Sequence, residues 1–382
     1  MTQMKSGQRI TTTALQKTTR AARLLVADDP ADLRLWESLV DAASLPDVYY
    51  RPGYVMSYQA IGQGRATAVL VETANVRALL PLLLRPLNTL PCSPGEPGYD
   101  AVTPYGYGGL LLLDGVDRIA SEQTGGVLDA LRDWCRENQV VSAHLRLHPV
   151  LRQEEWFVGE LGDDYRLHLL APTIAINLDC WDSKNASIST LNRGRRSDLN
   201  FAQRHLRLTW ADEYAKEDDL RKFHALYEQR MTELQAGEYY HFPFEYYWSL
   251  SKGLGTRLDV ALAWLGDEPV GGSLFMTDRT LSHYHLSASN DLGRANKATT
   301  LILNGAAERA RQMGCQRLHL GGGARGEDKL FTFKQSFGGE VYRYACLALV
   351  CDRLRHSQLV EKRVNSPYLP APRTNFFPEY RA

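Results

Sequence analysis

The stretch Leu318-His-Leu-Gly-Gly-Gly-Ala-Arg-Gly-Glu-Asp-Lys-Leu-Phe-Thr-Phe-Lys-Gln-Ser-Phe-Gly338 decides the reading of this chain. It predicts a short strand, a three-glycine turn, an acidic helix start and a compact Phe-rich helix stopped by Gly338-Gly339. Gly321, Gly322 and Gly323 remove every side chain where the strand ends, so backbone can approach a ligand or another backbone. Glu327 and Asp328 suit a helix N-terminus. Phe333 and Lys334 place an aromatic beside a cation. Gly321-x-Gly323-x-x-Gly326 formally matches the dinucleotide fingerprint, but only 30 residues follow Asp352, too few for the further strands such a domain needs. A phosphate-cradling P-loop fails because Glu-Asp follows Gly326 where Lys-Ser/Thr is required.

Working outward, 382 residues allow one or two domains, each with its own core. With 44 basic and 44 acidic residues there is no global pull toward nucleic acid or membrane. The six cysteines form no C-x-x-C pair and read as free thiols in a reducing compartment. Residues 1–20 are polar, Thr-rich and without an apolar signal-peptide region, and predict a flexible tail. The longest apolar runs, such as Ala78–Leu84, are too short to span a bilayer. A cytoplasmic protein with no membrane span is expected. The sequence does not set its oligomeric state.

The spacing predicts helices over 32–43, 52–60, 120–138, 187–205, 217–234, 244–252 and 297–313. It predicts strands over 66–72, 76–84, 110–113, 141–147, 165–170, 206–210, 258–265, 270–277, 281–287, 316–320 and 341–351. Each half therefore runs helices, antiparallel strands, helix, strand, an α/β (α+β) order that repeats without visible identity between the halves. The Pro-rich end, residues 366–382, cannot be a helix and is expected to wrap back on the first half.

Several clusters carry candidate chemistry. Lys334 could stabilise the charge growing on a carbonyl oxygen during acyl transfer, and Phe333 could stack a base. A solvated lysine with Phe333 in the core is the bland alternative. Thr103-Pro-Tyr-Gly-Tyr-Gly-Gly109 exposes amides together with the phenols of Tyr105 and Tyr107, as a cleft floor would. A Gly-rich strand entry with packed rings serves equally well. Arg193 and Arg196 share a helix face and could fork onto phosphate or carboxylate; a solvated basic helix is as good a reading. The aromatic run Glu238–Trp248 is core by density, although Tyr240 and its neighbours could line a substrate channel. His283-x-His285, and His144 with His148, show no third ligand at sensible spacing, so no metal is assigned.

Leu-Gly-Gly-Gly, then Asp-x-Leu, then Phe-Lys-x-x-Phe-Gly, resembles the late segment of the Fem-type aminoacyl transferases and their acyltransferase relatives on the GNAT fold. The resemblance runs from about Tyr49 to Gly338, with further anchors at Thr103–Gly109, Arg193–Arg196, Tyr227–Phe242 and Leu320–Gly323. It implies two tandem GNAT-like domains, with mixed, mostly antiparallel sheets flanked by helices. The first would comprise residues 21–170 with about 346–382, the second 171–345. It also implies transfer of an acyl or aminoacyl group from aminoacyl-tRNA or acyl-CoA to a small-molecule or peptide amine, by direct attack and without a tightly bound cofactor. Phe333 and Lys334 match the pair placed near the tRNA acceptor end, with Tyr105, Tyr107, Arg193, Arg196, Tyr240 and Gly321–Gly323 as substrate-binding candidates. In CoA-dependent relatives a Gln/Arg-x-x-Gly-x-Gly/Ala loop binds pyrophosphate. Asn290-Asp-Leu-Gly293-Arg-Ala295 is a degraded version in which Gly293 and Ala295 fit and Asp291 would repel the anion. Peptidoglycan-acting members carry an early phosphate-holding lysine, whereas this chain has no Lys between Lys17 and Lys184. An acceptor other than a muramyl nucleotide is therefore expected. An acyl-CoA-dependent N-acetyltransferase acting on a small amine or amino sugar, and an inactive twin-domain binding protein, are the competing readings.

Overall fold

The computed structural model describes residues 21–157, 162–211, 213, 216–324, 326–373 and 376–382. The expected tail over 1–20 lies outside the described residues. The first half contains β1 (Ala21–Val26), α1 (Pro30–Ala42), α2 (Pro52–Gln59), β2 (Arg65–Glu72), β3 (Arg77–Pro86), β4 (Tyr99–Val102), β5 (Leu111–Leu112), α3 (Ser121–Glu137), β6 (Val140–Arg146) and β7 (Tyr165–Asn177). A small hairpin of β8 (Trp181–Asp182) and β9 (Ser187–Ile188) leads to α4 (Arg193–His205). There follow β10 (Arg207–Trp210), α5 (Lys216–Glu233), α6 (Phe244–Leu254), β11 (Leu258–Leu265), β12 (Glu268–Asp278) and β13 (Leu281–Ser289). The chain ends with α7 (Asp291–Ala295), α8 (Ala298–Gln312), β14 (Arg317–Gly322), α9 (Lys329–Gln335), β15 (Glu340–Val350) and α10 (Arg353–Val364).

One continuous sheet runs β1-β2-β3-β4-β6-β15-β7-β14-β13-β12-β11-β10, with β5 on the side of β3. Read outward from its centre, the two arms match strand for strand. Each contains one parallel pair, β4 with β6 and β13 with β14. A parallel pair needs a long crossover, and α3 and α8 supply it. The centre is an exchange. β15, from the end of the chain, pairs with β6 of the first half, while β7, from the first half, pairs with β14 of the second. β7 and β15 then pair with each other from Glu340↔Ala175 to Leu349↔Tyr165. The α/β expectation is met, with the two sheets joined into one. β2 and β3 are buried on both faces, which explains their nearly unbroken apolar sequences. Pro81 sits inside β3 where neither β4 nor β5 pairs with it, so its missing N–H costs no ladder bond on that side.

The structure departs from the sequence-based elements in several places, of which these bear on the site and the chain ends. β1 and α10 had no clear periodic signal. Asn192 caps α4 by accepting from the Arg195 N–H, so that helix starts at Arg193, and residues 187–188 form β9. β14 continues through Gly321 and Gly322, leaving Gly323 alone of the three beyond the strand. The end of the chain folds back onto the first half, as expected. Yet one 3-10 turn, Glu379–Arg381, forms beyond the last proline, and the Tyr380 hydroxyl meets Ser142 Oγ at 2.6 Å.

One core cluster joins side chains of both halves, including Trp36, Tyr50, Tyr54 and Tyr58 with Phe223, Tyr246, Tyr247 and Leu250. At its middle α2 and α6 cross through glycine. A Cβ on Gly53 would lie 2.2 Å from the Gly253 carbonyl oxygen, and one on Gly253 would lie 2.6 Å from Gly53 Cα. Gly53→Ala should therefore destabilise the fold by about 1–3 kcal/mol or more, as overpacking does. Gly125→Ala, inside α3 with nothing within 4 Å of the new methyl, should be neutral or stabilising by up to about 1 kcal/mol. Denaturant midpoints of the two variants test the contrast.

Candidate functional site

β13 and β14 pair only from Leu281↔Arg317 to His283↔His319. Beyond that point β13 stays with β12 and β14 stays with β7, so the two strands part. A wedge opens, floored by His283 and His319. Bulges on both sides, between Leu274 and Phe275 and between His319 and Gly321, accommodate the divergence.

Lys334 occupies this wedge. Asp328 caps α9, accepting from the Leu330 and Phe331 N–H groups, and the helix carries Lys334 to the gap. Its Nζ donates to the Gly322 carbonyl at 2.6 Å and stands 5.6 Å from the Tyr284 ring centre. The side chain is 7% exposed. Gly321 explains itself here. Its φ is +72°, and a Cβ would meet the Tyr107 hydroxyl at 2.8 Å and Lys334 Nζ at 3.6 Å. Gly323 leaves room for Asp328, whose Oδ1 would lie 2.5 Å from a Cβ. Burial pulls the Lys334 ammonium down from its ordinary value to about 8, while Asp328 acts in the opposite direction.

Tyr107 enters from the other half. Its ring packs edge-on against His319 at 4.5 Å and Tyr344 at 5.1 Å. Burial raises its phenol, and a backbone hydrogen bond from Gly322 opposes the rise. Gly106, with φ +99°, lets the loop pass over Tyr49, whose Cε1 would lie 2.4 Å from a Cβ. Beyond Tyr107, Tyr105 faces Tyr239 at 6.1 Å, and burial pushes its phenol up to about 12. Arg146 lies half-buried beside them, donating to the Thr103 carbonyl at 2.8 Å. Among the described residues it has no carboxylate partner. A cleft of about 360 Å³ opens next to this group, lined by residues including Ile61, Glu238, Tyr239 and His241. A row of buried hydroxyls, Tyr54, Tyr58 and Tyr246, with steps of 3.2 and 3.1 Å, ends 2.6 Å from His285 Nε2.

The other sequence candidates are placed differently. Phe333 is half-buried, with neighbours on its ring. It packs edge-on against Phe337 at 5.3 Å, and the Arg195 guanidinium covers it at 5.1 Å. Arg195, not Arg193 or Arg196, is therefore the arginine turned toward α9. Arg193 is exposed at the first helical position, and Arg196 donates to the Ser189 carbonyl at 3.3 Å. Tyr240 is surface-exposed, edge-on to Tyr239 at 5.7 Å. Asp328, near Lys334, is engaged as a helix cap, and Glu327 is exposed. The Gly293 N–H is taken by the Asn290 side chain, and a Cβ there would lie 2.0 Å from the Val270 carbonyl oxygen. That glycine serves helix-on-strand contact. Ala295 is exposed.

Sequence reasoning missed the buried polar cluster under the wedge. Asp47, fully enclosed, lies 2.7 Å from His283 Nε2 and 3.6 Å from His148 Nε2. These three residues could hold a metal ion by spacing, which corrects the premise that the histidines lack a third ligand. The hydrogen positions argue for a hydrogen-bonded network instead. His148 Nδ1 accepts from the Leu151 N–H at 3.3 Å, which leaves its proton on Nε2, turned toward Asp47 where a ligand would need a lone pair. No spacing in the chain could reveal this cluster, because Asp47 lies more than 200 residues before His283.

Among the described residues no helix is long and apolar enough to cross a membrane. Residues 188–335 match the acetyltransferase (GNAT) domain family. Over the whole chain the fold resembles solved structures at low identity. FemX superposes with a TM-score of 0.66 at 12% identity, covering 85% of this chain and 98% of that one. L-PGS from Bacillus licheniformis gives 0.54 at 12%, covering 88% and 96%. The C-terminal domain of a putative lysylphosphatidylglycerol synthetase from Agrobacterium fabrum gives 0.52 at 13%, covering 85% and 96%. No curated protein matches the sequence. The chain thus has a GNAT-type acyltransferase fold. Over the whole chain, that fold is the one seen in FemX.

The lowered Lys334 value has a testable sign. Between about pH 8 and the ordinary lysine value the unfolded chain binds this proton and the folded chain does not, so stability rises with pH across that window. Relative to Lys334→Met, the native protein should gain stability between pH 8 and pH 10. Parallel denaturant titrations check this.

Proposed function

We propose that this chain transfers an acyl or aminoacyl group from an activated ester or thioester to an amine, by direct attack and with no covalent enzyme intermediate. One observation carries the reading. A buried ammonium stands in the gap where β13 and β14 part, beside a glycine that leaves its approach free. A carbonyl entering that gap would develop negative charge against Lys334 in poorly hydrated surroundings, where a fixed cation is worth most. The residues acting on substrate would be Lys334 and Tyr107. Arg146 would hold an anionic group of the acceptor near the cleft at Tyr239. The two catalytic halves would comprise residues 21–170 with 346–382, and residues 171–345.

Aminoacyl-tRNA is the preferred donor in this reading. The loop Asn290–Ala295 argues against a CoA pyrophosphate, because its glycine N–H is occupied and Asp291 is acidic. A cytoplasmic setting and contact with a tRNA acceptor end follow from that donor. The match of residues 188–335 to the GNAT family favours acyl-CoA, which keeps an N-acetyltransferase acting on a small amine or amino sugar as the second reading.

Labelled aminoacyl-tRNA and labelled acetyl-CoA, each offered with pooled amines, separate the donors. Lys334→Met should lower turnover by roughly a hundredfold or more with folding retained, and Lys334→Arg should recover part of it. Product formed from CoA alone would overturn the tRNA preference. No product from either donor would favour a binding protein. The reaction of the native enzyme should weaken as pH rises through about 8, where Lys334 loses its charge, and Lys334→Arg should lack that decline.

A further inference from the structure

Acyl transfer to nitrogen requires somewhere for the proton of the attacking amine to go. The carboxylates near Lys334 do not provide it, since Asp328 is a helix cap and Glu327 is exposed. The buried cluster under the wedge does. Asp47 Oδ1 accepts the Tyr49 N–H at 3.0 Å, which fixes the carboxylate at the start of a 3-10 turn. Burial works against its charge, but His283 and His148 outweigh that cost and hold the carboxyl well below the usual range.

An ionised carboxylate only accepts hydrogen bonds. His283 Nε2, 2.7 Å from Asp47 Oδ2, therefore carries the proton. We take His283 to carry that single proton, so that its Nδ1 is a lone pair facing His319 Nδ1 at 3.1 Å. Two lone pairs do not meet at hydrogen-bond distance, so His319 carries its proton on Nδ1. His319 Nε2 is left as a bare acceptor. It is buried and has no hydrogen-bond partner among the described residues. The same ring packs against Tyr107, whose hydroxyl shares the Gly321 corner with Lys334.

We propose that His319 Nε2 is the general base of the transfer, with His283 and Asp47 as positioning residues that set its tautomer. The inference rests on the acyl-transfer reading. As the amine nitrogen bonds to the carbonyl carbon, its N–H proton passes to His319 Nε2. The bond from carbon to the ester oxygen or thioester sulfur then breaks, and the imidazolium returns that proton to the departing atom. While protonated, His319 holds its Nδ1–H against His283, whose Nε2–H remains on Asp47, so the added positive charge is opposed by a fixed negative one. Burial, then His283, His148 and Lys334, keep the resting imidazole neutral, well below its ordinary value. The lone pair is thus available at neutral pH, where Lys334 is charged.

The tautomers can be read without mutation or substrate. In the full-length protein with 15N-labelled histidine, two-bond 1H–15N spectra at pH 7.0 should show His319 protonated on Nδ1 and His283 on Nε2. A proton on His319 Nε2, or a stoichiometric metal ion in the purified chain, would overturn the assignment. Catalysis is then tested with whichever of aminoacyl-tRNA or acetyl-CoA gives product. His319→Gln should lower kcat by about a hundredfold to ten-thousandfold at unchanged KM for the donor. His283→Gln should lower kcat less and move the His319 proton to Nε2, a shift that a purely structural role would not produce. Native turnover in folded His319→Gln would sink the base. Absence of product from both donors would instead sink the transferase reading, whatever the tautomers show.

Discussion

The β7–β15 ladder is the constraint on which the remaining geometry depends. Each strand is supplied by the opposite end of the chain from its other partner. Without that exchange the sheet would be two shorter sheets with open edges, a costly arrangement for backbone polar groups. With it, the first-half loop carrying Tyr107 is delivered to the second-half strand carrying His319, and the two rings meet at 4.5 Å. Asp47 of the first half likewise reaches His283 of the second. The wedge is thus made jointly: the lysine and two histidines come from one half, the carboxylate, a third histidine and the nearest phenol from the other.

The wedge depends on a local failure of pairing. Parallel neighbours in a sheet normally stay together along their length, and β13 and β14 do so for three residues before separating. The first half repeats the device. β4 and β6 pair up to Val102↔His144, after which Thr103 bonds across to Arg146 through its hydroxyl and the chain turns into the Tyr-Gly loop. In one arm the parting leads to a lysine and in the other to an arginine, each half-sunk or deeper among aromatic rings.

Much of this was legible in the sequence, for identifiable reasons. The Phe-Lys pair, the glycine corner and the Asp328 cap are local features, and local spacing reports them. Helical and strand periodicity located most elements because their apolar faces are buried. The extent of β7 was not legible, because Leu169 and Leu170 are exposed in mid-strand and break the alternation. The role of Phe333 could not be assigned from its neighbours in sequence, since Arg195 on α4 is what covers it. Asp47 carried no signal. An acidic residue before Val-Tyr-Tyr looks like any turn until the sheet brings two histidines to it. The arginines showed the opposite error: a dense basic run stood out, yet Arg146, alone in a strand, is the one held among the tyrosines.

The glycine crossing of α2 and α6 bears on how such a molecule can move. Most helix pairs interlock through side chains, and changing their relation means lifting ridges out of grooves. Here main chain rests on main chain, with no lever arm between. Such a point resists translation in any direction but opposes tilting only weakly. Any relative motion of the two helices is thereby confined to tilting about the Gly53–Gly253 contact.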